Sequence, residues 1–108
     1  MAIAAKRLGV SKPSATTATI LYTVPASTEA YLSVYCVNQS DTLDQIRVAL
    51  VEAAGTVDWT TDSFIHDADL DRDAPIVIVS IAADTDEDIV IYSTNGTTSF
   101  IATGIERT

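Results

Sequence analysis

His66 is the only histidine in the chain and is followed directly by Asp67, the residue types of a general base and the carboxylate that orients it. Neighbouring residues on an extended strand point to opposite faces, so the pair reads as a loop histidine, in solvent or packed on Trp59, and not as a dyad. Cys36, the lone cysteine, sits amid alternating apolar residues and reads as a small hydrophobe. No Gly-x-Ser-x-Gly elbow, phosphate-binding loop or His-Glu-x-x-His segment occurs. Carboxylates are plentiful: Asp67, Asp69, Asp71 and Asp73 alternate, and Asp84, Asp86, Glu87 and Asp88 form a second cluster. Asp67, Asp69 and Asp71 match the start of a Ca²⁺-binding loop, but Arg72 stands where that loop needs Gly and Ile78 where it needs a bidentate Glu. These three are the candidate Ca²⁺ ligands, set against a solvated acidic rim as the stronger reading. Two carboxylates across a cleft could hydrolyse a glycoside. A sandwich of 108 residues leaves little room for such a cleft, so the expectation is a protein that is not an enzyme and takes no cofactor.

These side chains must be carried by strands. Of 108 residues, 21 are Ile or Val and 15 are Thr, so one third of the chain is branched at Cβ and suited to a pleated sheet. Period-2 patterns run over residues 17–24, 29–39, 44–52, 75–82, 88–94 and 98–105, with a further short strand expected around Phe64. Leu32, Val34 and Cys36 share one face of their strand, and Ile46, Val48 and Leu50 turn inward with Arg47 outward. Trp59, Phe64 and Ile65 are expected to pin the long segment 56–74 to the core. Asn95-Gly96 between two apolar runs predicts a hairpin. The fold class expected is all-β: a single antiparallel β-sandwich of about seven or eight strands, jelly-roll or immunoglobulin-like, with an extended N-terminal arm. The arm takes residues 1–16 and the sandwich 17–108.

The formal net charge is −9. That balance excludes a surface built for bare nucleic acid or an anionic membrane, because both need clustered Lys and Arg. No apolar run is long enough to span a membrane as a helix, and no apolar stretch of the signal-peptide type follows Lys6-Arg7. Three of the six cations, Lys6, Arg7 and Lys12, precede a body that holds all fifteen acids. Such a segment can lie across its own body or across a neighbour, and the expectation is an arm whose removal leaves the sandwich's melting temperature little changed. Tyr31 to Val37, Ile76 to Val79 and Ile89 to Tyr92 are apolar on both faces, which predicts a second cover from another subunit. The expected interface residues are Lys6, Arg7, Leu8, Lys12, Tyr31, Tyr35, Ile76 and Ile78.

Several short segments, in order along nearly the whole chain, resemble small structural proteins of tailed bacteriophages. They are Lys6-Arg7-Leu8-Gly9, Leu21-Tyr22-Thr23-Val24-Pro25-Ala26, Cys36-Val37-Asn38, Ile46-Arg47-Val48-Ala49-Leu50, Asp88 to Tyr92, Ser99-Phe100 and Gly104. The acidic run Asp67 to Asp73 departs from that pattern. The resemblance implies a β-sandwich virion protein that decorates or cements the capsid, with the major capsid protein or other virion proteins as partners, a homo-oligomeric state and a place in the virion assembled in the bacterial cytoplasm. A tail, neck, baseplate or fibre component is the related alternative. A glycan- or receptor-binding module built on Trp59, Tyr92 and the acidic loops is the alternative from another class.

Overall fold

The computed structural model describes residues 3–108. Eight strands follow one another: β1 (Ile3–Ser11), β2 (Thr19–Thr23), β3 (Glu29–Asn38), β4 (Asp44–Val51), β5 (Ser63–Leu70), β6 (Ile76–Ala83), β7 (Asp88–Ser93) and β8 (Thr98–Arg107). A single helical turn, α1 (Trp59–Asp62), precedes β5 and is capped by Asp58, whose carboxylate accepts from Thr60 N at 3.0 Å. Sheet A has the order β1-β8-β3-β6 and sheet B the order β2-β7-β4-β5. Every pairing is antiparallel, and each strand has as one partner the strand equally far from the opposite end of the chain: β1 with β8, β2 with β7, β3 with β6, β4 with β5. The chain is thus one long hairpin, folded at its middle and rolled up so that β8 also meets β3 and β7 also meets β4. That is the jelly-roll connectivity, not the immunoglobulin one.

Rolling corrects two expectations. β7 and β8 do not form a hairpin, because β7 belongs to sheet B and β8 to sheet A. Asn95-Gly96 still makes a tight turn, with Gly96 at φ +72, but the turn carries the chain across the sandwich. Only β4 and β5 are sequential strands that pair, through the connection 52–62. The expected arm is likewise part of the sandwich: Ile3–Ser11 is an edge strand registered on β8 from Ile3↔Arg107 to Ser11↔Phe100. A bulge at Leu8 turns that side chain onto the core, and β1 then passes so near β2 that a Cβ on Gly9 would lie 2.2 Å from the Leu21 carbonyl oxygen. Lys6 binds Glu106 at 2.6 Å, and the Tyr22 hydroxyl donates to the same carboxylate at 2.5 Å. A basic segment beside an acidic body has folded onto that body.

Leu32, Val34, Cys36, Phe100 and Ala102 from sheet A meet Ile46, Val48, Ile89 and Ile91 from sheet B in the core, as their alternation predicts. Burial pushes the Cys36 thiol up to about 12. Ile65 packs against this core, whereas Phe64 is exposed and pins nothing.

One end of the sandwich is closed by buried polar groups. Asp44 is fully buried and accepts from the Ser93 hydroxyl, from Thr98 Oγ1 at 2.5 Å and from the backbone N–H of Gln45 and Asn95, each at 2.9 Å. Beside it Asn38 donates to the carbonyls of Thr42 and Leu70 and accepts from Thr97 Oγ1. Burial alone would raise the Asp44 carboxyl, but these donors outweigh it and hold the group below the usual carboxylate range.

Three outcomes are expected. Asp44→Ala leaves several donors unpaired and lowers stability by about 3 kcal/mol in urea unfolding. Because the folded-state value lies below the unfolded one of about 3.9, the wild type has this stabilisation in full above pH ~4 and loses it as pH falls further, while Asp44→Asn shows a flatter profile there. Deleting residues 1–11 strips β8 of a partner and uncovers the core at Leu8, so the melting temperature falls clearly instead of staying put.

Candidate interaction surface

The two sheets differ in how their outer faces are covered. On sheet B, Ala49, Val51 and Val90 face away from the core and are nonetheless buried. The cover comes from the chain itself: the connection bearing α1 lies against β4, and Trp59 meets Tyr92 edge-to-face at 6.0 Å. Arg47 lies over Tyr92 at 4.5 Å and near Trp59 at 5.4 Å from the ring centres. Its guanidinium grips Asp67 through two bonds, Nε to Oδ1 at 2.6 Å and Nη2 to Oδ2 at 3.2 Å. Those bonds hold the Asp67 carboxyl below its ordinary range.

Asp67 sits at φ 52 in a bulge of β5, where the register jumps from Ala68 opposite Ile46 to Ile65 opposite Val48. The bulge places His66 Nε2 3.5 Å from Asp67 Oδ2. The expectation that neighbours in an extended strand cannot meet fails here because the strand is not extended at that residue. The carboxylate is already held by Arg47, so the contact is no free acid–base pair. Asp69 accepts from Gln45 Nε2 at 3.2 Å, and Asp71 lies beyond the end of the strand. A strand followed by a turn spreads the three candidate Ca²⁺ ligands apart, and among the described residues no three His, Cys, Asp or Glu side chains form a group that could hold a metal. The Trp59–Tyr92 platform exists, but its best face is taken by Arg47.

On sheet A no segment among the described residues performs this covering. Strand register lines up Val10 of β1, Ile101 of β8, Tyr35 of β3 and Val77 of β6 in one row across all four strands. They are exposed by 54%, 37%, 41% and 46%. A second row holds Ala5, Ile105, Tyr31 and Ala82, and between the two lie Arg7, Thr103 and Ser33. A shallow depression of about 340 Å³ opens there, lined in part by Tyr31, Ser33, Ser80, Thr103 and Ile105.

Of the expected interface residues, Arg7, Tyr31 and Tyr35 meet on this face, and Lys12 is exposed beyond the end of β1. Ile76 and Ile78 do not belong to it, because both pack against the core, and β6 presents Val77 outward instead. Leu8 is also turned inward, and Lys6 is spent on Glu106. Val10, Ile101 and Val77 join the surface through sheet order, which no local pattern reveals. A second depression, of about 200 Å³, is lined by Glu29, Asp84 and Glu87 among others. Glu29 is bound to Arg107 at 2.9 Å, and that partner lowers its carboxyl. No family model matches this chain, and comparison with the curated proteins and with the solved structures gave no match.

Two results are expected from this arrangement. Arg47→Lys keeps the charge but loses the two-pronged grip and the ring contact, lowering stability by about 1 kcal/mol, a small figure because the pair is part-exposed. Native Cys36 stays unreactive toward a thiol reagent at mildly alkaline pH and reacts fully once the chain is unfolded in guanidinium.

Proposed function

We propose that this chain is a non-enzymatic structural protein of a bacteriophage virion, most concretely a decoration or cement subunit on the head exterior. The observation that carries the reading is the apolar outer face of sheet A on a jelly roll, left uncovered among the described residues, a shape suited to assembly. The fold adds an argument by analogy alone, since jelly rolls serve repeatedly as capsid modules and also as lectins. The resemblance in the sequence supplies the phage setting.

Several features favour an assembling role over catalysis. The depressions are shallow, the one paired histidine shares its carboxylate with Arg47, and the carboxylate in the acidic depression bound to Arg107 is lowered, not raised as a general acid would be. The major capsid protein is the proposed partner, with Lys12, exposed and outside every ion pair found among the described residues, as a contact for an acidic patch. Repetition over a capsid lattice makes each small contact effective. The glycan-binding alternative loses ground because Arg47 occupies the aromatic platform it needs.

Antibody labelling of intact virions, viewed by electron microscopy, tests the proposal. Label distributed over the head is the expected result. Label at one pole moves the protein to the tail or its fibres, and unlabelled virions end the virion reading altogether.

A further inference from the structure

We infer that the outer face of sheet A is covered by the same face of a second copy, so that two sandwiches stack back to back about a two-fold axis. This deepens the assembly reading above by naming the first partner and the residues that meet it. Three observations point to a second copy.

The first is the asymmetry of cover. Chain 52–62, Trp59 and Arg47 shield the outer face of sheet B, while no such shield over Tyr35, Val77, Ile101 and Val10 on sheet A is found among the described residues. The second is charge. A chain of net charge −9 repels its own copies wherever acids meet. Among the described residues Glu29 is the one carboxylate whose register places it on this face, and Arg107 neutralises it. Asp84 and Glu87, in the β6–β7 connection, line a depression with Tyr31 and Ala82 at one edge of this face, and the remaining acids lie on sheet B, on the inner side with Lys6, or in the connections between strands. Stacking sheet A on sheet A therefore keeps most acids of the two copies out of the contact, with Asp84 and Glu87 at its rim. The third is area. Four strands ~4.8 Å apart and about ten residues long at ~3.3 Å each give a footprint of roughly 600 Å². Side-chain relief enlarges that toward the ~800 Å² per partner typical of a stable complex. A two-fold axis through the face makes the patch self-complementary, and Tyr31 and Tyr35 supply the aromatic anchors that such centres favour.

Sedimentation equilibrium of the purified chain is the test. Twice the 11.5 kDa chain mass is expected, with association kept or strengthened as salt rises, because salt screens the acidic repulsion and leaves apolar contact intact. Tyr35→Asp and Val77→Lys should each weaken association on the order of 100-fold while far-UV circular dichroism stays native. Phe64→Asp, on an exposed side chain of sheet B, should leave the mass unchanged. Hydroxyl-radical footprinting of the wild type reads the same surface without any variant, and expects Tyr31 and Tyr35 protected in concentrated relative to dilute samples. A mass of one chain at all concentrations, a mass of three or more, a pair that survives both sheet A variants, or unprotected tyrosines overturns the inference. Labelling on virions has no bearing on these masses, so failure of the virion reading and failure of the pairing are told apart.

Discussion

A β-strand that is apolar on both faces has to be covered twice, and most of this molecule follows from how few covers are at hand. The core provides one for every strand. For β4 and β7 the second is the chain's own detour through α1, fastened by Trp59, Tyr92 and the Arg47–Asp67 grip. For β3, β6 and β8 the described residues provide no second cover, and a row of side chains from Val10 to Val77 stays in solvent. A soluble monomer seldom keeps such a continuous apolar surface without a use for it.

The rolled topology depends on a second constraint, the satisfaction of polar groups where the chain changes sheets. Asp44 gathers Ser93, Asn95 and Thr98, which lie before, within and after the β7–β8 crossing. Asn38 does the same for the β3–β4 crossing and reaches the end of β5. Buried carboxylates and amides are tolerated only when fully bonded, and none of the buried side-chain polar atoms among the described residues lacks a partner. This cluster gives the crossing a defined geometry.

Much was legible beforehand because it depends on local period. The strands β3, β4, β7 and β8, the inward side chains Leu32, Val34, Cys36, Ile46 and Val48, and the exposure of Tyr31 and Tyr35 follow from alternation alone. Bulges broke the same logic: one at Leu8 turned that residue inward, and one at Asp67 brought it beside His66. A bulge inserts a residue without a reliable local signal, and every assignment of faces beyond it slips by one.

By itself, the sequence determined the class of structure, the number of strands to within one, and the presence of surplus apolar surface, since these depend on composition and on spacing two apart. It also determined that no residue set of a familiar catalytic motif is present. Which strands pair was decided only in three dimensions, because pairing partners such as Ile3 and Arg107 stand at opposite ends of the chain and share no local pattern. Tertiary structure alone turned the basic segment from an arm into an edge strand, turned Asn95-Gly96 from a hairpin into a crossing, and set four residues from four strands in one exposed row. The physical reason is the same throughout: burial of one face is a property of neighbouring residues, whereas cover for the other is a property of whatever the fold brings against it.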